Sequence, residues 1–337
     1  MAHIAWKDQY RIGYKDIDAQ HRVLLDLLNE LIDLMDGGGA PEQISSIFQR
    51  LCSYALLHFR NEERYLRAAG YPDLGPQESE HASFVQQLLD FNQAYDPSDP
   101  RLLAETRGFL QHWFLGHILR SDMAYVPFMK QFRQHATPRA VIFDFGNVLC
   151  TFDNLRFLEG LSSLCGKPAG DLGELLYGQS TLTQDYEAGR IDSRAFHREV
   201  SRLCGTDLPE PDFIRVYTDI FTPIHATFDL IRKLKPGYKL DLLSNTSPWH
   251  FERAIRTTEV FPLFDSVTLS FEVGASKPDP RLFEDALSKL DLLAEECLYV
   301  DDLPAFAQAA TDHLLHGITY TTPVALLTEL RRHKVAL

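Results

Sequence analysis

The spacing of apolar residues changes partway along the chain, and this change constrains the fold more than any other feature. From residue 17 to about 130, apolar residues recur every three or four positions, as in Leu24, Leu28 and Leu31. This spacing is typical of amphipathic helices. After residues 134–139 it gives way to short β-rich runs that alternate with helical stretches. We therefore expect two domains of different fold class.

Turn residues divide the first region into four predicted helices. The breaks fall at residues that commonly end or begin helices: Gly37–Gly39, Pro41, Gly70, Asp73 and Pro100. Proline is favoured in the first turn of a helix, and glycine just after the last. The pattern predicts an all-α four-helix bundle over residues 1–133, followed by a linker at 134–139.

Five short apolar runs in the second region predict strands. They cover residues 140–145, 239–244, 266–270, 297–300 and 317–321. Because they alternate with helical stretches, they favour a parallel sheet that is buried on both faces. The interval between the first two runs is too long for a simple crossover. We interpret about 154–223 as a helical cap inserted into an α/β domain that spans 140–337.

Composition argues against several classes of partner. The formal net charge of −14 disfavours nucleic acids and anionic membranes, which attract basic surfaces. No run is long enough for a membrane span and no secretory signal is evident, so we expect a cytoplasmic protein. The five cysteines include no C-x-x-C pair, which predicts reduced thiols. The sequence indicates no oligomeric state.

Histidines and carboxylates fall on all four predicted helices. The candidate metal ligands are His21, His58, Glu62, Gln77, His81, His117 and Asp122. His58 and Glu62 are four residues apart and therefore share a helix face. His117 and Asp122 are five apart, which separates them by about 140° on an ideal helix. A single histidine of this kind is more often structural, but imidazoles and carboxylates that converge in a bundle core favour iron.

Residues 3 to about 130 resemble the bacterial hemerythrin family. The resemblance is carried by Trp6, D-x-x-H ending at His21, H-F-x-x-E-E from His58, Y-P-D-L from Tyr71, His81, and H-x₄-D ending at Asp122. It implies two non-haem irons that bind O₂ in an apolar pocket. The implied ligands are His21 and His58 on one iron, His81 and His117 on the other, with Glu62 and Asp122 as bridges.

Gln77 departs from the hemerythrin pattern. It stands where the family has a further histidine on the second iron, and an amide is a poorer donor than imidazole toward Fe²⁺. That iron would accept a weak amide oxygen, take water, or bind less tightly. The resemblance therefore implies two irons, or one if this position fails to hold metal.

Chemically active side chains follow the predicted strands of the second domain. They are Asp144, the pair Ser244 and Asn245, Lys277, and the pair Asp301 and Asp302. In open parallel sheets, ligand sites lie at the carboxyl ends of the strands. A carboxylate nucleophile, a hydroxyl and an amide, a lysine and paired carboxylates for Mg²⁺ together make a coherent phosphoryl site.

Residues 140 to about 325 resemble the haloacid dehalogenase superfamily through those segments in that order. The resemblance implies a Rossmann-like fold with an inserted helical cap. It implies the following roles: Asp144 as nucleophile, Ser244 and Asn245 as phosphoryl ligands, Lys277 for charge neutralisation, and Asp144, the Gly146 carbonyl and Asp302 as Mg²⁺ ligands with Asp301 beside them.

Gly146 departs from the phosphatase pattern, which has an acid/base aspartate there. A positioned acid/base contributes about 10²–10⁴-fold. We therefore expect a small phosphorylated metabolite whose leaving group needs little protonation, or a substitute group, for which Asp153 is the nearest candidate in sequence.

Three functions remain open from the sequence. The first is a phosphatase fused to an O₂-binding or redox-sensing domain that regulates it. The second is an oxygen or iron sensor whose hydrolase domain is weakly active or acts only in partner binding. The third is a metal-independent dehalogenase, which would leave the Asp301 and Asp302 pair unexplained.

Overall fold

The computed structural model describes residues 4–96, 98–178 and 180–337. The chain forms two units, of which the first ends at Ala136 and the second begins at Thr137. Within the described residues, no helix combines the length and apolarity needed to cross a membrane. All five cysteines are free thiols.

The first unit is a helical bundle. After a 3₁₀ turn at Asp8–Tyr10, its helices are α1 (Lys15–Asp36), α2 (Pro41–Ala68), α3 (Leu74–Ala94), α4 (Pro100–Gly116) and α5 (Met123–His135). The breaks between α1, α2, α3 and α4 fall where the sequence predicts them, whereas the fourth predicted helix is divided into α4 and α5. At the start of α4, for example, the Asp99 side chain accepts hydrogen bonds from the backbone N–H groups of Arg101 and Leu102. The apolar stripes meet in one core, in which Leu28, Leu31, Leu51, Leu88 and Leu110 are fully buried.

A π-helical turn, His117–Asp122, joins α4 to α5. Its backbone hydrogen bonds run from residue i to i+5, which returns residues five apart to nearly the same face. The divergence of His117 and Asp122 expected on an ideal helix is therefore wrong here. The Nε2 atom of His117 lies 3.1 Å from Oδ1 of Asp122.

Seven strands are described in the second unit. They are β1 (Ala140–Phe143), β2 (Cys150–Phe152), β3 (Phe221–Pro223), β4 (Lys239–Ser244), β5 (Ser266–Leu269), β6 (Cys297–Asp301) and β7 (His316–Thr319). Five form a sheet in the order β5-β4-β1-β6-β7, and β2 and β3 form an antiparallel ribbon. All neighbours in the larger sheet are parallel, as predicted.

The predicted runs and the observed strands differ at their ends. β1 stops at Phe143 rather than at residue 145, because the chain turns sharply there and Asn147 adopts a φ of 53°. β5 ends one residue early, β6 runs one residue further to Asp301, and β7 starts and ends earlier than 317–321. Since β1 is the central strand, Asp144 lies at the middle of the sheet's carboxyl edge.

The helices of the second unit fall into two sets. The first set, between β2 and β3, is α6 (Asn154–Cys165), α7 (Ala169–Gly173), α8 (Leu182–Glu187), α9 (Ser193–Cys204) and α10 (Glu210–Thr218), with a π turn at Glu174–Gly178. These helices have a core of their own around Phe157, Phe196 and Phe213. They form the cap, which the antiparallel ribbon connects to the sheet.

The second set flanks the sheet. It comprises α11 (His225–Leu234), α12 (Pro248–His250), α13 (Ser270–Val273), α14 (Pro280–Leu290), α15 (Pro304–Asp312) and α16 (Pro323–Arg332), with a π turn at Phe251–Ile255 and 3₁₀ turns at Phe261–Leu263 and Ala294–Glu296. Apolar side chains on both faces of the sheet pack against these helices. This burial explains why the strands read as continuous apolar runs.

Gly317 of β7 allows α15 to approach the sheet closely. A Cβ at this position would lie 2.0 Å from the carbonyl oxygen of Ala307. We predict that Gly317→Ala lowers the free energy of unfolding of the second unit by about 1–3 kcal/mol, because overpacking forces the helix away. Gly237→Ala, which meets nothing within 4 Å, is the matched control. Equal urea midpoints for the two variants would contradict the prediction.

Candidate metal centre and active site

Imidazole and carboxylate groups meet in the core of the first unit. The seven positions singled out in the sequence are all buried there: His21, His58, Glu62, Gln77, His81, His117 and Asp122. Removing so many polar groups from water is costly unless they are paired or bind metal. Their arrangement therefore decides whether the cluster can hold a cation.

The two carboxylates lie between pairs of histidines. Oε2 of Glu62 is 3.1 Å from Nε2 of His81 and 4.0 Å from Nε2 of His58. Oδ2 of Asp122 is 3.3 Å from Nε2 of His21, and Oδ1 faces His117. Donor atoms of His21, His58 and Glu62 all lie within 4.8 Å of one another, as do those of Glu62, His81 and His117. Two adjacent metal positions that share Glu62 fit this geometry.

Several donor atoms in the cluster have no hydrogen-bond partner in the described part of the chain. They are both ring nitrogens of His21, Nδ1 of His117, Oε2 of Glu62 and Oδ2 of Asp122. In addition, the Nε2 atoms of His81 and His117 face each other at 3.0 Å. Buried nitrogen and carboxylate donors that converge in this way could hold a shared cation, and the mixture of imidazole and carboxylate fits iron.

The pKa values of the two carboxylates are shifted in opposite directions. Burial, followed by the charge of Asp122, raises the pKa of Glu62 to about 8. Burial also acts to raise the pKa of Asp122, but His117 and His21 outweigh it and hold that pKa below its usual range. Burial, aided by His21, lowers the pKa of His58 well below its ordinary value. Because metal ligands must be deprotonated, a bound cation would displace the proton that Glu62 holds at neutral pH.

Partners outside the cluster orient the rings. Nδ1 of His81 lies 2.7 Å from Oε1 of Glu63, and Nδ1 of His58 lies 3.0 Å from Oε1 of Gln20. The Tyr125 hydroxyl donates to Glu62. Such partners fix the orientation of metal ligands. We did not identify them from the sequence, although Glu63 belongs to the quoted H-F-x-x-E-E motif.

Gln77 takes part in the cluster as a hydrogen-bond donor. Its Nε2 lies 3.1 Å from Oδ1 of Asp122, and the side chain is buried. The amide thus contacts one of the two shared carboxylates. No imidazole occupies this position on the His81 and His117 side of the cluster.

A buried lysine organises the carboxyl edge of the sheet in the second unit. Nζ of Lys277 donates to Oδ1 of Asp144 at 2.7 Å and to Oδ2 of Asp301 at 2.8 Å. Burial raises the pKa of Asp144 to about 6, although Lys277 acts to lower it. Burial acts to lower the pKa of Lys277, but the two carboxylates outweigh it and raise that pKa. The lysine therefore remains charged beside the predicted nucleophile.

Asp144, Asp301 and Asp302 form the third cluster able to hold a metal ion, with carboxylate oxygens within 4.8 Å. Both oxygens of Asp301 are already engaged, Oδ1 by the backbone N–H of Leu303 and Oδ2 by Lys277 and the Tyr299 hydroxyl. In the part of the chain that the structure describes, Oδ2 of Asp302 accepts one hydrogen bond, from Nδ2 of Asn147 at 3.0 Å. Asp302 is therefore freer to bind a hard cation such as Mg²⁺.

A cavity of about 290 Å³ opens beside this cluster. Gly146, Ser244 and Asn245 line it from the sheet, and the cap contributes Phe157, Tyr177, Thr183 and Glu187. Oδ1 of Asn245 accepts from the backbone N–H of Lys277 at 2.8 Å, which fixes the loop after β4. The cavity thus places a hydroxyl and an amide next to the carboxylate and lysine pair.

Asp153 does not line this cavity. Its side chain is exposed and accepts a hydrogen bond from the backbone N–H of Leu155, which caps α6. Glu187 lines the cavity, but we did not single it out from the sequence. The available signal was its place in the Y-E-A-G-R-I segment of the predicted cap.

Comparisons with known proteins divide the chain in the same way. The family model of the hemerythrin HHE cation binding domain matches residues 12–129, and that of the haloacid dehalogenase-like hydrolases matches residues 138–313. A bacteriohemerythrin of Clostridium acetobutylicum is 32% identical over 125 residues, which are 36% of this chain and 97% of that protein.

Two relatives match the second unit. A D-ribitol-5-phosphate phosphatase of Bacteroides thetaiotaomicron is 28% identical over 169 residues, which are 48% of this chain and 82% of that protein. The solved structure of a HAD-like family hydrolase from Porphyromonas gingivalis has 27% identity and a TM-score of 0.52, and it covers 58% of this chain and 99% of its own. These findings confirm the predicted fold classes.

The position of Gln77 yields a prediction about metal affinity. Gln77→His should tighten iron binding at least about tenfold and slow autoxidation, because even partners outside the ligand shell change metal affinity about 10–100-fold. His58→Ala should abolish the near-ultraviolet charge-transfer bands. Gln86→His, an exposed position on the same helix, is the control. If iron content and autoxidation are the same in Gln77→His and wild type, Gln77 does not lie next to the metal.

Proposed function

Because the chain belongs to the hemerythrin family and to the haloacid dehalogenase-like hydrolases, we propose that it is a Mg²⁺-dependent phosphatase fused to a non-haem di-iron domain. The observation that carries the phosphatase assignment is Lys277 held between Asp144 and Asp301 beside the cavity. The iron domain binds O₂ or senses redox state, and it regulates hydrolysis.

The mechanism follows from the positions of the side chains. A carboxylate oxygen of Asp144 attacks phosphorus in line with the leaving group, and an aspartyl-phosphate forms. Ser244 and Asn245 hold the phosphoryl oxygens, and Lys277 offsets their growing negative charge. Mg²⁺, held by Asp144, Asp302 and the Gly146 carbonyl with Asp301 alongside, supplies further charge neutralisation when bound. Water then hydrolyses the intermediate.

The cavity supports a small substrate. Its volume of about 290 Å³ suits a phosphorylated polyol or sugar. Aromatic rings form much of the cap side, and Thr183 and Glu187 offer polar contacts for hydroxyl groups. The Bacteroides relative that acts on D-ribitol 5-phosphate supports the same class of substrate.

In the first unit we propose two irons per chain. His21 and His58 would hold one, His81 and His117 would hold the other, and Glu62 and Asp122 would be shared between them. The sharing of Glu62 between two groups of donors supports this assignment. Iron in this centre supplies reversible O₂ binding or one-electron redox chemistry. With Gln77 in place of a histidine, the iron assigned to His81 and His117 has one imidazole ligand fewer. This favours a redox or sensing role over O₂ storage.

The nucleophile provides the main test. Asp144→Asn should reduce turnover of D-ribitol 5-phosphate, sugar 1-phosphates and p-nitrophenyl phosphate to below about one thousandth of wild type, since no neighbour can replace the attacking group. Beryllofluoride should bind wild type but not the variant. Asp312→Asn, an exposed position on α15, is the control. Full activity in Asp144→Asn would refute the assignment, and activity that survives a chelator would favour a metal-independent hydrolase.

Regulation by the iron domain is tested separately. Hydrolysis of one substrate is measured with the iron reduced, oxygenated and oxidised. Coupling between sites typically amounts to about 1–3 kcal/mol, so we expect rates that differ about 5–150-fold between states. His58→Ala should remove the difference. The same rate in all three states would show that the two domains act independently.

A further inference from the structure

In the second unit, the position at which phosphatases of this superfamily have an acid/base aspartate is a glycine, Gly146. Gly146 has no side chain, and a Cβ there would lie 3.8 Å from Oδ2 of Asp144. An alcohol leaving group needs a proton as it departs, and the water that attacks an aspartyl-phosphate must lose one. Asp153 is exposed and caps α6 outside the cavity. The group that moves these protons must therefore come from elsewhere around the cavity.

Glu187 carries the only carboxyl among the described residues that line the cavity. It is the last residue of α8, in the cap. Among the described residues, none forms a hydrogen bond or an ion pair with this carboxyl. Burial raises its pKa to about 7, and no neighbouring charge contributes to the shift. A carboxyl of this kind exchanges protons near neutral pH.

The groups that face Glu187 are uncharged at neutral pH. Burial raises the pKa of Tyr177, on the π turn beside α8, to about 12, and raises that of Tyr217, on α10, well above its usual value. Burial lowers the pKa of His250, which also lines the cavity, to about 4. On α9, the uncharged Ser193 hydroxyl forms a hydrogen bond with the Tyr186 hydroxyl.

The charged residues nearby are directed elsewhere. Glu174 on the π turn and Glu272 on α13 are exposed. At the carboxyl edge of the sheet, the charges of Asp144 and Lys277 are paired with each other. Glu187 is therefore the cap residue that gains or loses a proton near pH 7, and no charged side chain is paired with it.

Two contacts hold Glu187 against the sheet. The Ser270 hydroxyl donates to the backbone carbonyl of Glu187, and it accepts from the backbone N–H of Thr246 at 2.9 Å. Thr246 directly follows the phosphoryl-binding pair Ser244 and Asn245. Two residues after Glu187, Gly189 has a φ of 67°, and a Cβ there would lie 2.3 Å from the carbonyl oxygen of Phe271. The end of α8 is thus fixed beside the phosphoryl-binding loop.

We infer that Glu187 is the general acid and base of the phosphatase, in place of the aspartate that Gly146 replaces. The inference rests on the phosphatase function proposed above. It assigns a catalytic role to the cap, whose other residues in the cavity are aromatic or neutral.

A single proton, carried by Glu187, serves both the formation and the hydrolysis of the aspartyl-phosphate. As Asp144 bonds to phosphorus and the bond to the substrate oxygen breaks, protonated Glu187 gives its proton to that oxygen and the alcohol leaves. The Glu187 carboxylate then takes a proton from the water that attacks the aspartyl-phosphate. The bond between phosphorus and Asp144 breaks, inorganic phosphate leaves, and Glu187 is protonated again. No other reactant is needed.

The test compares Glu187→Gln with wild type on D-ribitol 5-phosphate and on p-nitrophenyl phosphate. For the alkyl ester, kcat should fall about 10²–10⁴-fold, the usual contribution of an acid/base. The activated ester should still form the aspartyl-phosphate in rapid-quench experiments, and its breakdown should slow by a similar factor. Wild type should show a rate change near pH 7, and this change should be absent in the variant.

Two further variants sharpen the test. Glu159→Gln, exposed on α6, is the matched control and should behave as wild type. Gly146→Asp placed in the Glu187→Gln background should restore breakdown of the intermediate. Gly146 has no positive φ, and a Cβ there meets the exposed Phe152 ring at 3.1 Å, so only that ring must shift.

Several results would overturn the inference. Unchanged kcat and unchanged lifetime of the intermediate in Glu187→Gln would do so, and so would a raised KM alone, which indicates substrate recognition. Failure to form the intermediate even from p-nitrophenyl phosphate would indicate a structural role. Slow breakdown in Asp153→Asn instead would assign the step to Asp153. A wild-type chain that hydrolyses none of these esters would defeat the phosphatase proposal itself, and the role of Glu187 with it.

Discussion

Burial of ionisable side chains is the constraint that both units must satisfy. An unpaired charge removed from water costs several kcal/mol, so most buried ionisable groups have partners, and the others take up their neutral form more readily. In the second unit, Lys277 pairs with Asp144 and Asp301 at once, which keeps a nucleophilic carboxylate buried at the sheet edge. In the first unit, the histidines and carboxylates face one another with donor atoms left unsatisfied. The lysine of the second unit thus pairs both of its carboxylates without a metal, whereas the unsatisfied atoms of the first unit need a cation as a partner.

The groups next to the Nδ1 atoms of the histidines differ between the two sides of the metal-binding cluster. Carboxylates approach Nδ1 of His81 and His117, from Glu63 at 2.7 Å and Glu80 at 3.3 Å. On the other side, His58 meets the neutral amide of Gln20. A carboxylate partner makes an imidazole a stronger donor. The stronger donors thus lie on the side where Gln77 stands in place of an imidazole, which offsets part of that loss.

Hydrophobic spacing and turn residues were sufficient to predict α1 to α4 and the parallel sheet, but not the separation of α5 from α4 or the β2–β3 ribbon. All five strands of the parallel sheet formed near the predicted runs, because burial on both faces leaves a continuous apolar signature. The pairing of His117 with Asp122 could not be derived from spacing, since it depends on a π turn that ideal helical geometry does not contain. Glu187 was missed for a different reason. Its place above the cavity depends on contacts of the cap with Ser270 and Phe271, which lie far along the chain.

The burial of Glu187 has a thermodynamic consequence that favours a functional explanation. Its pKa in the folded chain is about 7, against an ordinary value of 4.5, so the folded state holds the proton more tightly than the unfolded chain does. Stability therefore falls as the pH rises from 4.5 to about 7 and stays at the lower level above that. A glutamine or a leucine at this position would avoid the loss. The chain instead anchors the end of α8 through Ser270 and the bare backbone of Gly189, and these contacts hold over the cavity a carboxyl whose ionisation lowers stability. Such a cost is typical of sites where function, rather than packing, determines the residue.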